Sequence, residues 1–260
     1  MIDVRNVIHH YGTRPVVRDV TLYVDAGEVL ALMGPNGSGK STLMAVMAGI
    51  LWPIEGHITI NGLRRRASEE DELAIRRQVV YLPATPWLPR LQTPRQWLLA
   101  VGRLYAIEER HLGDHVERLL TLFDLESKAE SPISACSTGQ QKKVALCGAL
   151  ASEAPIMLLD EPFAGGLDPS GILALKKILQ HRARGDHYTI VMATPIPELV
   201  EELADRIAVM REGQLVAHDD LANLRRLSGR EKLDDIYENL VSPDTARNIE
   251  RYFQVTGGEK

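Results

Sequence analysis

The sequence predicts an α/β fold with a mostly parallel sheet, an antiparallel β-subdomain near the N-terminus and an inserted α-helical subdomain. Short apolar runs that alternate with turns over residues 1–32 indicate strands. From about residue 94 the apolar residues recur at helical spacing. Continuous apolar runs return at Ile156–Asp160 and Thr189–Ala193, which is typical of strands buried inside a parallel sheet.

The predicted strands are short apolar runs bounded by turn-forming residues. They occupy residues 4–8, 20–24, 29–33, 57–62 and 79–83. Two amphipathic patterns predict helices of the inserted subdomain. Their apolar positions are Trp97, Leu98, Val101, Leu104 and Tyr105 in the first, and Val116, Leu119, Leu120 and Phe123 in the second. Two more charged amphipathic segments lie at about residues 221–227 and 233–240.

These patterns divide the chain into two parts. We expect residues 1–218 to form one α/β domain, with the helical subdomain inserted at about residues 85–152. Residues 219–260 are expected to add a short helical extension and a mobile tail.

Composition limits the classes of function. The 260 residues carry a net charge of -5, which argues against a protein that binds nucleic acid by neutralising its phosphates. No run approaches the roughly 18 apolar residues of a membrane-spanning helix, and the first residues lack the layout of a signal peptide. We therefore expect a cytosolic protein, for which any membrane role requires another chain.

The cysteines and the charged runs predict ordinary structural roles. Cys136 and Cys147 are too few for a disulfide framework, and their spacing allows both to lie on one face of a helix as core thiols. The basic run at residues 64–66 and the acidic run at residues 69–72 are expected to form solvated surface.

A glycine-rich segment follows the strand predicted at residues 29–33. It comprises Gly34, Pro35, Asn36, Gly37, Ser38, Gly39, Lys40, Ser41 and Thr42. Its glycines allow backbone N–H groups to approach a phosphate closely, and the helix that follows directs its positive end at the anion. Lys40 supplies a charge for the outer phosphates, and the hydroxyl of Ser41 can reach a magnesium ion. In this strand–loop–helix context, the pattern predicts a P-loop.

Two carboxylates follow the strand predicted at Ile156–Asp160. Ligands bind at the carboxyl edge of open parallel sheets, so Asp160 is placed to hold magnesium directly or through water. Glu161 is placed to accept a proton from an attacking water. The alternative is that one or both of them only cap the helix that follows.

The order of these motifs resembles the ATP-binding subunit of an ABC transporter over about residues 1–218. The matching positions are Tyr11, residues 34–41, residues 137–141, residues 156–161, residues 166–168 and residues 203–207. The resemblance implies ATP and Mg²⁺ as cofactors, Lys40 and Glu161 as catalytic residues, and Ser41 and Asp160 as metal ligands.

The resemblance also assigns roles that the residues alone do not. Tyr11 corresponds to an aromatic residue that stacks on adenine, although a tyrosine near the start of a domain is more often part of the core. Ser137, Gly139 and Gln140 belong to the signature sequence, which in this family closes on the γ-phosphate held by a second subunit. Without that context, Ser137 would be interpreted as a plain helix cap.

Four positions depart from the family pattern. Ala84 replaces a glutamine that senses magnesium and water, and Pro195 replaces a histidine that contacts the γ-phosphate. Thr194 and Pro195 instead predict an N-cap and the first position of a helix. Cys136 and Thr138 are milder changes within the signature sequence. We therefore expect Mg-ATP binding with slow hydrolysis.

The resemblance implies two kinds of partner, namely transmembrane permease subunits and a second nucleotide-binding subunit, in a homodimer or a heterodimer. Residues 86–91 lie where the permease would dock, and Trp87 either contacts it or is buried in its own subdomain. The segment at residues 233–240 resembles the closing helix of exporters, which favours export. The protein is thus expected on the inner face of the cell membrane.

Two other functions remain compatible with the sequence. The chain can be an ATP-gated dimerisation module with negligible turnover, paired with an active subunit. It can also be a soluble family member that acts in translation or DNA repair. Such proteins usually carry two P-loops or long coiled coils, whereas this chain has one P-loop and no sustained heptads.

Overall fold

Two β-sheets organise the chain in the computed structural model, which describes residues 1–242. The strands are β1 (Ile2–His10), β2 (Pro15–Val24), β3 (Val29–Met33), β4 (Glu55–Ile60), β5 (Leu63–Arg64), β6 (Val79–Leu82), β7 (Ile156–Asp160), β8 (Thr189–Ala193), β9 (Arg206–Arg211) and β10 (Gln214–Asp219). The helices are α1 (Lys40–Met47), α2 (Glu69–Arg76), α3 (Pro94–Leu104), α4 (Glu109–Leu122), α5 (Thr138–Ala151), α6 (Pro169–Arg184), α7 (Pro197–Leu203), α8 (Leu221–Ser228) and α9 (Leu233–Val241).

The larger sheet has six strands in the order β10-β9-β3-β8-β7-β6. All of its neighbouring pairs are parallel except β9 and β10. Every residue of β3, β7 and β8 is buried, because helices cover both faces. The carboxyl ends of these three adjacent strands therefore meet at one edge, where a ligand is expected.

The smaller sheet is antiparallel, with the order β2-β1-β4-β5. Its apolar side chains share one core with α1 and with one face of the larger sheet. Helix α1 therefore lies between the two sheets, with its N-terminus at the carboxyl edge of β3. The predicted mostly parallel α/β core with an antiparallel β-subdomain is confirmed.

Helices α3, α4 and α5 lie between β6 and β7 in the chain and form a second core. In α5 all residues from Lys142 to Ala151 are buried, which places the helix under the rest of this block. Leu112, Val116 and Phe123 pack in the same core as residues of α5 and β7. The predicted helical insertion is thus present, packed on the parallel sheet.

The segments after residue 219 form helices α8 and α9. Leu224, Leu233 and Ile236 pack against β9 in a third core. The first amide of α9, that of Leu233, donates to the Glu201 carboxylate at 2.9 Å. The C-terminal extension is therefore docked on the α/β domain as far as residue 242. The tail predicted to be mobile lies outside the described residues.

The structure differs from the sequence-based expectations for the basic run and for the two cysteines. The basic run is not all solvated surface, because Arg65 is buried and donates to the carbonyl of Met47 at 2.8 Å and to Glu72 at 2.8 Å. The two cysteines do not share a helix, since Cys136 precedes the N-cap of α5 and Cys147 lies within that helix. Both thiols are nevertheless buried, as core thiols should be.

Within residues 1–242, no helix combines the length and apolar character needed to cross a membrane.

Candidate nucleotide-binding site

The loop between β3 and α1 can be built only with glycine at its two ends. Gly34 has φ +151°, and a β-carbon there would lie 2.4 Å from the carbonyl oxygen of Met210. Gly39 has φ +102°, and its β-carbon would meet the carbonyl oxygen of Val16 at 2.7 Å. The loop is thus clamped between β2 and β9, which leaves its backbone close to any group held inside it.

Helix α1 begins at Lys40 and has no side-chain cap, so its first N–H groups lack partners within the helix. Lys40 is buried, and its Nζ donates to the carbonyls of Gly34 at 2.8 Å and Pro35 at 3.1 Å. Burial lowers the pKa of Lys40, against the opposing effect of the Glu161 and Asp160 carboxylates. An uncapped helix end with an ammonium folded over it is suited to hold an anion.

The remaining loop residues are disposed around this helix end. Asn36, Gly37 and Ser41 are exposed, whereas Ser38 and Thr42 are buried. Among the described residues, no group forms a hydrogen bond with the buried Oγ of Ser38. A buried hydroxyl without a partner at the mouth of a phosphate-binding loop is consistent with a bound polar ligand.

Asp160 ends β7 and is 1% exposed. Its Oδ1 has no hydrogen-bond partner among residues 1–242, although a buried carboxylate oxygen normally has one. Oxygen ligands of this kind suit Mg²⁺, which binds through one or two protein oxygens and retains several waters. The donor set of Asp160 and the exposed hydroxyl of Ser41 therefore fits the magnesium ion that the family implies.

Glu161 follows Asp160 in the left-handed region, with φ +48°. Its N–H donates to the carbonyl of Ala193 at 2.9 Å. Its own carbonyl accepts the N–H of Ala164 at 3.1 Å and the Nζ of Lys142 at 3.0 Å. No helix follows Glu161 directly, since α6 begins at Pro169, so the alternative that these carboxylates cap that helix is wrong.

Tyr11 lies in the turn after β1, beside the first turn of α1. Its hydroxyl is 3.4 Å from Oγ1 of Thr42, and its ring meets the ring of His9 edge to face. The side chain is 68% exposed. It is therefore not part of the core, and the ring is free to stack on a planar group bound near α1.

The signature residues lie at the N-terminus of α5. Ser137 caps the helix by accepting the N–H of Gln140 at 3.2 Å, and the Gln140 side chain accepts the N–H of Ser137 at 2.9 Å. Gly139 packs on the loop after β7, where its β-carbon would lie 2.5 Å from the carbonyl oxygen of Gly166. In the described chain these residues form no hydrogen bond with the loop at 34–39. Gly139 contacts the loop after Glu161, and Thr138 is exposed.

The two departures from the family pattern lie at the edge of the site. Ala84 and Pro195 are both exposed, and neither side chain can donate a hydrogen bond. The prediction that Thr194 and Pro195 start a helix is wrong. Helix α7 begins at Pro197 instead, because the residue before a proline avoids the helical region, and Thr194 Oγ1 accepts the N–H of Ile196 at 3.3 Å.

A cavity of about 620 Å³ lies between the sheet and the helical block. Its lining is largely apolar and includes Ile50, Tyr81, Trp87, Leu88 and Leu104. Trp87 is 78% exposed at its rim. The alternative that Trp87 is buried in its own subdomain is therefore wrong.

The sequence did not single out Lys142, whose Nζ reaches the Glu161 carbonyl. The available signal was a pair of lysines, Lys142 and Lys143, directly before the apolar stretch of α5. Their burial could not be read from that pattern, since lysines in a helix are mostly exposed.

Fold and site together are those of a P-loop NTPase. The family comparison matches residues 17–164 to "ABC transporter". This match includes the phosphate-binding loop, the signature sequence and the carboxylate pair. The chain belongs to the ABC transporter family, whose ATP-binding members are ATPases.

Curated relatives include transport subunits of both directions. The Nod factor export ATP-binding protein I of Rhizobium meliloti is 35% identical over 217 residues, which are 83% of this chain and 63% of the relative. The chain thus spans less than two thirds of that relative's length. The cobalt import ATP-binding protein CbiO of Salmonella typhimurium is 32% identical, with coverages of 84% and 80%. The ABC-type transporter ATP-binding protein EcsA of Bacillus subtilis is 28% identical, with coverages of 94% and 98%.

Solved structures show the same fold. The ATP-binding subunit of an ABC transporter superposes with a TM-score of 0.86 at 32% identity, covering 92% of this chain and 98% of the other. An ATP-binding cassette solved as a dimer in a post-hydrolysis state with ADP and Pi gives a TM-score of 0.77 at 27% identity, with coverages of 85% and 99%.

Proposed function

We propose that the chain is the ATP-hydrolysing subunit of an ABC exporter and powers transmembrane permease subunits by ATP-driven dimerisation. The observation that carries the catalytic part is the buried Asp160, whose Oδ1 has no partner in the described chain, at the same sheet edge as Lys40. An unpaired buried carboxylate costs stability, so its retention beside a phosphate-binding loop favours a metal-binding role.

Each residue of the site has a distinct role in the proposed reaction. Backbone N–H groups of the loop and the ammonium of Lys40 hold the β- and γ-phosphates. Ser41 and Asp160 hold Mg²⁺, which neutralises charge that develops on the phosphate oxygens. Glu161 accepts the proton of the attacking water. Tyr11 stacks on the adenine.

A second nucleotide-binding subunit completes the proposed site. Gly139 packs on the chain's own 161–168 loop, whereas Ser137 and Gln140 bond to each other. In the described chain, none of the three forms a hydrogen bond with the loop at residues 34–39. The dimer of a related cassette with ADP and Pi supports the pairing, in which we propose that these residues close on the partner's nucleotide.

The proposed turnover is slow. Loss of one preorganised donor to a developing charge costs about 3–4 kcal/mol, or a hundred- to a thousand-fold in rate, and Ala84 and Pro195 remove two. The second candidate, an ATP-gated module with negligible hydrolysis, is favoured by the same two residues.

Replacing Glu161 with Gln separates the two candidates. If the chain hydrolyses ATP, the variant loses turnover and accumulates an ATP-bound dimer in size-exclusion chromatography. If turnover is already negligible, the variant hydrolyses ATP at the wild-type rate. Calorimetry with Mg-ATP tests both candidates, because absence of binding by the folded chain excludes each of them.

The proposed membrane partner docks at the apolar cavity rimmed by Trp87, on the inner face of the membrane. Exposed aromatic side chains beside an apolar groove are typical anchors of an interface. When the chain is co-expressed with a multi-helix membrane protein from an adjacent reading frame, we expect both to be recovered in membranes. Trp87→Ala should lower that recovery, and recovery without the second protein would contradict the proposal.

Export is the proposed direction, supported by the closing helix α9 and by relatives named for Nod factor export. The relative named for cobalt import shows that the family alone does not decide it. In sealed inside-out vesicles of the complex, ATP added outside should drive substrate accumulation within. ATP-driven efflux from such vesicles would reverse the assignment.

A further inference from the structure

The site contains a second buried ammonium besides that of Lys40. Lys142 lies in the second turn of α5 and is only 5% exposed. Its aliphatic stem packs against Gly165, and its Nζ donates to the carbonyl oxygen of Glu161 at 3.0 Å. A buried charge costs free energy unless a polar group compensates it, and here one backbone carbonyl is the bonded partner.

The carbonyl that Lys142 holds belongs to a residue in an uncommon conformation. Glu161 has φ +48°, a region that non-glycine residues enter at a cost and leave unless their surroundings hold them there. Its N–H is fixed by Ala193 and its carbonyl by Ala164 and Lys142. Since the backbone angles of a residue set the direction of its side chain, these bonds aim the Glu161 carboxylate.

The charges around the two carboxylates support the same conclusion. Lys40 from α1 and Lys142 from α5 are both attracted by Asp160 and Glu161, and burial lowers the pKa of both amines. Ala84 and Pro195 contribute no donor to the site. The orientation of the Glu161 carboxylate therefore depends on the bonds that Glu161 forms with Ala193, Ala164 and Lys142.

We propose that Lys142 is a positioning residue for hydrolysis: its ammonium holds the Glu161 carbonyl and so keeps the carboxylate directed at the attacking water. This inference rests on the proposed ATP hydrolysis. It also places the positioning residue on the same helix as Ser137 and Gly139, which the proposal directs at the partner's nucleotide. In the proposed dimer, this helix therefore links closure of the partner's nucleotide site to Glu161, the proposed base in the chain's own site.

The competing explanation is that Lys142 only fills space beside Gly165. Lys142→Met separates the two, because methionine keeps an unbranched apolar stem and removes the ammonium. Lys142→Arg keeps a cation that can donate to a carbonyl. Lys143→Met removes a neighbouring lysine that is equally buried but bonded to Asp168 at 3.0 Å, and its effect on Tm calibrates what such a lysine contributes to the fold.

The test measures three quantities on the full-length chain: the single-turnover hydrolysis rate, the Kd for Mg-ATP and the Tm without nucleotide. We expect Lys142→Met to lower the rate at least tenfold. Its Kd should stay within threefold of wild type, and its Tm should be unchanged or higher, since a buried charge is removed. Lys142→Arg should restore the rate to within threefold.

Three outcomes would overturn the inference. One is a Lys142→Met rate within threefold of wild type. Another is a loss of rate accompanied by an equal weakening of Kd and a Tm drop like that of Lys143→Met, which indicates a structural role. The third is a wild type that binds Mg-ATP without hydrolysing it. The proposed function fails separately, when the wild-type chain does not bind Mg-ATP.

Discussion

Gly139 and Gly166 touch through their backbones, because a β-carbon at position 139 would lie 2.5 Å from the Gly166 carbonyl oxygen. This contact seats the first turn of α5 on the loop that runs from the carboxylate pair to α6. The N-terminus of α5, which carries Ser137 and Gly139, is therefore in direct contact with the loop that follows Glu161.

We expect Gly139→Ala to force these two segments apart. Overpacking of this kind costs about 1–3 kcal/mol, so the free energy of unfolding should fall by that amount and turnover should fall at least tenfold. Urea unfolding and steady-state hydrolysis measure the two effects. Gly113→Ala is the control, since Gly113 lies on α4 with nothing near its β-carbon position and should gain up to about 1 kcal/mol. Equal behaviour of both variants would show that the contact is not tight.

Restoring the missing donors should raise turnover. Ala84 and Pro195 are exposed, so the pair Ala84→Gln and Pro195→His fits without repacking the core. Because each recovered donor is worth up to about 3–4 kcal/mol of transition-state stabilisation, we expect the double variant to hydrolyse ATP at least tenfold faster than wild type. Adding Glu161→Gln to it should abolish the gain. A double variant no faster than wild type would mean that other groups already replace the two donors.

The Mg²⁺ dependence of nucleotide binding should reside in Asp160. Removing the metal with EDTA is expected to weaken ATP binding by wild type at least tenfold, since phosphate charge is then poorly neutralised. In Asp160→Asn the difference between the two conditions should shrink below threefold in a calorimetric titration. Asp205→Asn serves as the matched control, because Asp205 accepts the Val29 N–H at 2.8 Å outside the site. It should lower Tm and keep the metal dependence; a loss of metal dependence there would contradict the assignment.

Acid should destabilise the helical block through His115. Burial lowers the pKa of His115, with Arg118 and Arg182 acting in the same direction, while the Leu150 carbonyl and Glu153 oppose the shift. The ring of His111 stacks on the ring of His115, and Nε2 of His111 is 2.8 Å from the Glu153 carboxylate. Below pH 6.5, which is the ordinary pKa of histidine, His115 is protonated in the unfolded chain before it is protonated in the folded chain. Stability from this residue is therefore complete above pH 6.5 and lost as pH falls through the folded value.

His115→Gln checks this sign. Urea unfolding of wild type and variant should give parallel free energies between pH 7 and 8, where the imidazole is neutral in both states. From pH 7 to 5 wild type should lose more stability than the variant, by about 1.4 kcal/mol for each unit that separates the two pKa values. Parallel curves down to pH 5 would rule out this role for His115.

The parts of the site that the sequence predicted are those that are local in the chain. The P-loop is one contiguous sequence pattern, and its glycines at positions 34 and 39 are required by their φ values and close contacts. The position of Asp160 followed from its place at the end of an apolar run, because parallel strands bring their carboxyl ends together.

The features that the sequence missed arise from packing between distant segments. Arg65 is buried against α1 and α2, and Lys142 against the loop that follows β7. Polar residues in a charged or helical run give no sign of such burial. The sequence did not show at which of two prolines, Pro195 or Pro197, helix α7 begins. It begins at Pro197, and the Thr194 hydroxyl accepts the N–H of Ile196. The exposure of Trp87 likewise depends on how the loop before α3 crosses the surface.

Arg65 also ties the C-terminal end of α1 to helix α2. Its guanidinium binds the Met47 carbonyl at the negative end of α1, while the positive end is reserved for phosphate. The opposite side of the same guanidinium is tied to Glu72 on α2. The end of α1 about 12 Å from its N-terminus is therefore joined through Arg65 to α2 and to the edge of the antiparallel sheet.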